Sequence, residues 1–305
     1  MPTLRQLNYL VTLADSPSFV HAARVANVSQ PTLSQQVRAL EERLGVTLLD
    51  RGASGAILTP VGRSVVARAR RILSEVREIE ALAARASDPF TGTFRLGTTP
   101  TLGPYLLSPI IADLHRIAPD LRLYVREGIP EQQSFELSRG ELDVHLGPLP
   151  ITGDDLEIEA LFREPLHLVT AIDGELASGG VIKPERLAGQ SVLSLDRRHH
   201  LHRQTAALAA SYRMTLAPDY EGTSLDSLHQ MAASGLGLTV LPALYLASDV
   251  GGRTGLAVLE VEGWSAHRSV ALAWRRGSSM AETFRLIAAQ IQNRAREILG
   301  RREPS

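Results

Sequence analysis

Residues 18–40, SFVHAARVANVSQPTLSQQVRAL, constrain the fold more than any other stretch. Small apolar residues predict a short, closely packed helix, and Asn27-Val28 predicts a break after it. Ser29 can cap a second helix by accepting a hydrogen bond from a backbone N–H, and Pro31 fits in its first turn. Three apolar residues then recur at helical spacing: Leu33, Val37 and Leu40. The stretch therefore predicts two short helices joined by a tight turn.

The outer face of the second helix is polar and carries no acidic residue. Gln35 suits adenine, and Arg38 suits guanine or phosphate, so this face fits the major groove of DNA as a helix-turn-helix. An ordinary helical hairpin with a solvated face is the alternative. The candidate DNA contacts in this helix are Ser29, Gln30, Pro31, Thr32, Ser34, Gln35 and Arg38.

The flanking segments fit a winged form of this motif. Residues 4–14 place five apolar side chains on one helical face, which we expect to pack behind the other helices: Leu4, Leu7, Leu10, Val11 and Ala14. A helix end at Gly45 leads through an extended piece to RGASGAILT, whose composition is typical of a wing. Arg51 and Ser54 are candidate phosphate contacts, and a salt bridge is the alternative for Arg51.

A long helix is predicted from about residue 60 to 86. Thr59 can cap it, and Pro60 suits its first position. Apolar residues recur in a heptad pattern at Leu58, Val65, Ile72 and Ile79, with Ala69, Val76 and Ala83 four residues after three of them. This pattern predicts a coiled-coil seam between two copies of the chain. An amphipathic helix that packs on its own domain is the alternative.

After a hinge-like segment, ASDPFTGTFR, extended and helical segments alternate, which predicts an α/β domain with a largely parallel sheet. Residues 1–87 hold 11 Arg and 7 Asp or Glu (+4), while the remainder holds 21 basic and 26 acidic residues (−5). A basic head suits DNA contact through one end. Because the chain has no cysteine, a disulfide framework, a thiol switch and Cys-ligated zinc are excluded. Without a signal-peptide pattern or a membrane-length apolar run, we expect a cytoplasmic location and no membrane partner.

The stretches FVHAARVANVSQPTLSQQVRALEERLGVTLLDR, LTPVGR and DSLHQMAASGLGLTVLPA resemble LysR-type transcriptional regulators. The resemblance covers the whole chain. It implies three domains: a winged helix-turn-helix at 1–59, a linker or dimerisation helix at 60–87, and an α/β effector domain at 92–300. It also implies two Rossmann-like effector subdomains similar to a periplasmic binding protein, subdomain I at 92–163 and 268–300 and subdomain II at 164–267.

The same resemblance implies the partners of the chain. They are promoter DNA, a second copy in a homodimer, further copies in a homotetramer, and a small inducer, with RNA polymerase as an additional candidate. We expect no enzyme activity and no cofactor, because nothing resembles a catalytic constellation. A solute-binding protein or an enzyme on the same α/β fold is the alternative class.

Within the family, the effector domain resembles the OxyR branch of peroxide sensors. TTPTLGPYLLSPIIADLHRIAPDLRLYVREG and GTSLDSLHQMAASGLGLTVLPAL carry this likeness. The branch has a reactive cysteine in a Gly-His-Cys-Leu-Arg motif. The resemblance places His200 at that position and Ala209 at the position of the second cysteine. Imidazole forms neither a sulfenic acid nor a disulfide, so we expect no thiol oxidation.

Polar residues that follow predicted strands are candidate effector contacts, because ligands of α/β sheets sit at the carboxyl ends of strands. They are Thr98, Thr99, Thr101, His199, His200, His202 and Thr223. The threonines could instead cap helices. The histidines could bind an anion together with helix N–H groups, bind a metal with Asp196, or form a ligand-free polar rim.

The resulting hypothesis is a small anionic effector that binds more tightly below about pH 6.5, where histidine gains charge. Two other stimuli are alternatives on the same scaffold. One is a metal. The other is methionine oxidation, for which Met214 and Met280 are the expected accessible sites.

Overall fold

The computed structural model describes residues 1–52, 55–85, 92–178, 180–222, 224–248 and 255–300, and within them it omits the side chains of 51, 52, 55, 56, 78, 81–85 and 219. Two compact units divide the chain. The N-terminal unit is Met1–Asp88 with Arg139–Glu141, and the C-terminal unit is Pro89–Ser138 with Leu142–Ser305.

The N-terminal unit contains the predicted helices and wing. Its elements are α1 (Leu4–Ala14), α2 (Phe19–Val25), α3 (Gln30–Leu44), the hairpin β1 (Leu49–Gly52) and β2 (Gly55–Leu58), and α4 (Pro60–Arg85). The predicted cap of α3 is confirmed, since Ser29 Oγ accepts from the Thr32 N–H at 3.3 Å. The predicted end at Gly45 is also confirmed, and a left-handed φ of +69° there suits glycine.

Helix α3 is packed by the apolar stripe that the sequence predicted. Leu33, Val37 and Leu40 are completely buried, together with Leu10 of α1. The prediction that Leu4 belongs to this core is wrong, because its side chain is 46% exposed. Leu4 is the first helical residue after the Thr3 cap, and the buried stripe of α1 begins one turn later, at Leu7.

Helix α4 packs on its own unit at its beginning, as one predicted alternative requires, and exposes apolar side chains farther along, as the coiled-coil alternative requires. Thr59 Oγ1 accepts from the Gly62 N–H at 2.9 Å, which confirms the predicted cap. In its first turns, Val66 and Ala69 are buried in the core of the N-terminal unit. Farther along, Ile72 is 44% exposed and Ile79 is 64% exposed. The side chain of Ala83 lies outside the described residues.

The C-terminal unit alternates strands and helices, as predicted. Its elements are β3 (Gly92–Thr98), α5 (Gly103–Ile117), β4 (Leu121–Glu127), α6 (Pro130–Ser138), β5 (Val144–Pro148), β6 (Leu156–Ala171), a 3₁₀ turn (Pro184–Leu187), β7 (Ser191–Leu195), α7 (His200–Ser211), β8 (Thr215–Gly222), α8 (Leu225–Ala233), β9 (Leu238–Pro242), α9 (Ala243–Ala247), β10 (Leu256–Val258), β11 (His267–Arg275) and α10 (Ala281–Gly300).

These strands form one sheet in the order β4-β3-β5-β11-β6-β9-β7-β8, with β10 beside β6. Pairs in the two outer parts are parallel, but β11 and β6 pair antiparallel with their neighbours, so the sheet is mixed rather than largely parallel. Strand β6 pairs with β11 up to Pro165 and with β9 from Leu166. This change of partner lies close to the proposed subdomain boundary at 163/164, which stays a prediction.

The prediction that Met214 and Met280 are accessible is wrong. Met214 is 7% exposed and Met280 is 4% exposed. Met214 packs into the apolar core around β7, β8 and α8, where an oxidant has little access to its sulfur. None of the described helices is long and apolar enough to cross a membrane.

Candidate functional site

Burial of one face of α3 turns the opposite face to solvent. Ser34 is half-buried on that side, and the other predicted DNA contacts of this helix are exposed: Ser29, Gln30, Pro31, Thr32, Gln35 and Arg38. Arg38 forms no ion pair with any described residue, so its guanidinium is available for a base or a phosphate. Ser29 already uses its hydroxyl for the helix cap. The side chain of Arg51 and the whole of Ser54 lie outside the described residues.

The predicted effector threonines follow β3 and are buried. Thr98 is completely buried, and its hydroxyl has no hydrogen-bond partner among the described residues. The hydroxyl oxygens of Thr99 and Thr101 lie 3.2 Å apart. Helix α5 has no side-chain cap, so the alternative in which these hydroxyls cap it is wrong. The backbone carbonyl of Thr99 accepts from the first N–H groups of α5 instead.

A buried ion pair fixes Thr101 in place. The Arg268 Nε donates to the Glu164 carboxylate at 2.7 Å, and both side chains are almost completely buried. The same guanidinium donates to the hydroxyl of Thr101 at 2.9 Å and to its carbonyl at 2.8 Å. The second Glu164 oxygen accepts from the Leu244 N–H at 2.9 Å. Besides the ion pair, each of the two charged side chains therefore makes further hydrogen bonds, as a buried charge requires.

Sequence reasoning missed this network. Glu164 lies in EPLHLVTAI and Arg268 in HRSVALAWRR, two largely apolar segments whose sequences predict strands. The available signal was a charged residue on the border of each apolar strand. Such residues are usually solvated, so the signal is weak without knowledge that β6 and β11 lie side by side.

The three histidines surround the beginning of α7. His199 precedes the helix without a side-chain cap bond, and His200 is its first residue. Burial lowers the pKa of His200, and the nearby guanidinium groups of Arg203 and Arg268 lower it further. The Nδ1 atom of His200 is buried and has no partner in the described part of the chain. Because Arg268 also binds Thr101, the guanidinium that acts on His200 is the one that holds Thr101.

His199 and His202 differ in their surroundings. Burial lowers the pKa of His199, an effect that the Asp196 carboxylate opposes. His202 Nδ1 lies 2.8 Å from the Leu195 carbonyl and 3.1 Å from the Ser194 hydroxyl, which fixes its ring against the end of β7. Neutral imidazoles are therefore expected near pH 7 for His199 and His200. Thr223, the remaining predicted contact, lies outside the described residues.

The proposed metal partner of the histidines is engaged elsewhere. The Asp196 carboxylate accepts from Arg198 Nε at 2.9 Å, and hydrogen bonds from Arg198 lower the pKa of Asp196 to about 2. No group of three or more potential metal-binding His, Cys, Asp or Glu side chains occurs among the described residues.

An open cavity of about 430 Å³ lies beside the threonines, between the ends of β3 and β4 and the beginning of α8. Pro100, Pro104, Tyr105, Glu127, Ser224, Asp226 and Ser248 line it. None of the predicted effector residues does so. Burial raises the pKa of Tyr105, and the carboxylates of Asp226 and Glu127 raise it further. The polar wall of this cavity is thus acidic, whereas the charged groups that act on His200 are Arg203, Arg268 and Glu131.

Family models match both units of the chain. The bacterial regulatory helix-turn-helix of the LysR family matches residues 4–63, and the LysR substrate-binding domain matches residues 87–296. The chain belongs to the LysR family of DNA-binding transcription regulators. This result confirms the predicted family and its fold class, a helix-turn-helix followed by an α/β regulatory domain.

Two known proteins match almost the whole chain. The DNA-binding transcriptional dual regulator OxyR of Escherichia coli K12 is 34% identical over 291 residues, which are 95% of each chain. The regulator EstR of Acinetobacter baylyi is 31% identical over 288 residues, 94% of this chain and 95% of EstR. These relatives are transcription regulators, as predicted, rather than enzymes.

Solved structures of OxyR proteins are similar along almost the whole chain. A full-length OxyR variant from Pseudomonas aeruginosa is 33% identical with a TM-score of 0.77, covering 96% of this chain and 98% of that one. A hydrogen peroxide-bound OxyR mutant from Corynebacterium glutamicum is 30% identical with a TM-score of 0.67, covering 98% and 94%. The predicted likeness to the OxyR branch is therefore confirmed.

Proposed function

We propose that this LysR-family regulator binds promoter DNA through α3 and responds to a small anion held around His200, without thiol chemistry. The observation that carries the effector assignment is that Thr98 Oγ1 and His200 Nδ1, two of several such buried polar atoms, have no hydrogen-bond partner among the described residues. Unpaired buried polar groups are costly, and a ligand that hydrogen-bonds to them would offset this cost.

The charges around His200 favour an anion as this ligand. Burial lowers the pKa of His200, and the guanidinium groups of Arg203 and Arg268 lower it further, although Arg203 pairs with Glu131 and Arg268 pairs with Glu164. A positive potential that disfavours imidazolium attracts a negative ligand at the same point. The N-terminus of α7 adds its unpaired N–H groups. We assign Thr98, Thr99, Thr101, His199, His200, His202 and Thr223 to this effector site.

Oxidation of sulfur is a poor trigger for this chain. The 305 residues contain no cysteine and four methionines. Met214 and Met280 are buried, and Met231 packs partly against the core of the C-terminal unit. This leaves Met1 as a fully exposed sulfur, far along the sequence from the effector residues. We therefore favour reversible ligand binding over methionine oxidation.

We further propose that the exposed apolar residues of α4 form the seam of a homodimer. Ile72 and Ile79 occupy equivalent heptad positions and expose large apolar surfaces in the single chain. Burying them against a second copy would remove this surface from water. A homotetramer and contact with RNA polymerase are additional proposals that rest on the family alone.

Two experiments test the proposed function. Fluorescence anisotropy with the chain's own upstream DNA should give salt-sensitive binding, weakened by about 1–3 kcal/mol in Arg38→Ala if Arg38 reads a base. Equal affinity of wild type and variant at several salt concentrations would refute the assignment of α3. Calorimetry with sulfate, phosphate, acetate and benzoate should show a ligand whose binding is weakened in Thr98→Val and His200→Ala. No difference between these variants and wild type would refute the effector site.

A further inference from the structure

The C-terminal unit has a second concave surface. It is a groove of about 480 Å³ formed by the middle of β6, by α9 and by the end of α10. None of the proposed effector residues lines it, and the volume is in the range of small-molecule sites. We call it the β6–α10 groove.

The floor of the β6–α10 groove is apolar. Leu161 and Leu246 are buried, and Phe162, Ile298 and Leu299 are partly exposed toward it. An aromatic ring or a short aliphatic chain would be removed from water and would gain contact with these side chains on binding. The floor therefore selects a ligand with an apolar body.

The edge of the groove is basic. Arg163, His167 and Arg296 line it, and the described lining residues include no Asp or Glu. Arg163 contacts the ring of His267, at 3.0 Å from its Nδ1. Arg296 contacts the Asn293 side-chain oxygen at 3.4 Å. Within the described structure, neither guanidinium forms an ion pair.

The other two arginines of α10 do form ion pairs. Arg285 pairs with Glu157 at 2.7 Å, and Arg294 pairs with Glu297 at 2.8 Å. Both guanidinium groups that border the groove therefore keep their charge uncompensated, next to an apolar floor. This combination fits an anionic end group, since a guanidinium binds carboxylate or sulfonate oxygens in its plane.

We propose that the β6–α10 groove binds a small amphipathic anion, an aromatic or short aliphatic carboxylate or sulfonate. The apolar body lies on Phe162, Leu246 and Leu299, and the anionic group lies between Arg163 and Arg296. A sugar phosphate is a poor fit because its hydroxyls would meet the apolar floor. A zwitterion is a poor fit because the described edge offers no carboxylate. This site shares no residue with the proposed effector site.

A matched pair of fluorescent probes tests the proposal on the full chain. Anilinonaphthalene sulfonate carries the anionic group, and phenylnaphthylamine is a similar uncharged molecule. Arg163→Gln and Arg296→Gln should each weaken sulfonate binding about threefold to tenfold, because each removes one charge-assisted contact at an exposed edge. Phenylnaphthylamine binding should change less than twofold. Arg294→Gln is the matched control on the same helix and should leave both probes unaffected.

A second variant tests the position of the apolar body. Ala247→Phe places a ring in the groove and should abolish binding of both probes there. Unchanged sulfonate binding in Ala247→Phe would overturn the proposal, as would equal loss of both probes in Arg296→Gln. Sulfonate affinity that falls as protein concentration rises would mean that a second copy covers the groove, and this also overturns a small-molecule site.

Discussion

Replacing one half of the Glu164–Arg268 pair should destabilise the C-terminal unit much more than replacing both halves. Glu164 is completely buried, so Arg268→Met leaves its charge without a counterion. Such half-pairs typically cost about 3–5 kcal/mol, whereas replacing a whole buried pair by apolar residues is often nearly neutral. We therefore expect Arg268→Met to lower the free energy of unfolding by about 3–5 kcal/mol. Arg268→Met combined with Glu164→Leu should lower it clearly less.

Urea unfolding followed by tryptophan fluorescence measures this loss selectively. The chain has two tryptophans, and both Trp264 and Trp274 lie in the C-terminal unit. With a urea slope of about 2–3 kcal/mol per molar, the single variant should lower the midpoint by about 1–2.5 M. The exposed pair Arg285–Glu157 is the control, and Arg285→Met should cost less than about 1 kcal/mol.

Two results would contradict this reasoning. A loss below about 1 kcal/mol for Arg268→Met would mean that Glu164 is not left as an unpaired buried charge. A double variant as unstable as the single one would mean that packing, rather than charge, controls the stability of this region. Calorimetry should also detect weaker effector binding in the double variant, because Thr101 loses the two bonds that fix it.

Four further results are expected. Ile72→Glu should shift sedimentation toward the monomer at low protein concentration, because it buries an unpaired charge in the seam; an unchanged profile would exclude this seam. Hydrogen peroxide should leave DNA affinity unaltered at doses that oxidise a control thiol protein, and a changed affinity would point to methionine. Anion binding should strengthen as pH falls below about 6.5, since the lowered pKa of His200 leaves imidazole neutral near pH 7 and a bound anion favours its protonated form. This pH dependence should disappear in His200→Ala, and its persistence would assign it to another group. Burial lowers the pKa of His145 to about 4, so the neutral ring is stable in the fold and stability is lost as pH falls through about 6.5. When the pH is lowered from 7 to 4, the free energy of unfolding of His145→Leu, measured with urea, should therefore fall by about 3 kcal/mol less than that of wild type. Equal decreases in the two proteins would contradict this.

The N-terminal unit could be predicted almost entirely from local sequence signals. Ser29, Pro31 and Gly45 act through their own backbone and immediate neighbours, so their roles are readable without tertiary information. Leu4 was misassigned because periodicity alone does not say where the neighbouring elements stop covering a helix. The same limit applies to Ile72 and Ile79, since a heptad pattern does not identify the surface that covers it.

The C-terminal site could be predicted only in part. The ends of β3 and β7 were readable from composition, which brought the threonines and histidines into view. Arg268 and Glu164 were missed because their proximity depends on strands more than 100 residues apart. Met214 was misassigned because the polar residues around it in sequence do not line the core into which it packs.

Strand β6 sets a mechanical limit on the regulatory domain. Its 16 residues pair first with β11, with a β-bulge at Leu161, and then with β9. A swing of one half of the sheet about a single loop would break this ladder of backbone bonds, which is costly in a buried strand. We therefore expect motion between the two halves of the sheet to twist β6 and its partners rather than to separate them.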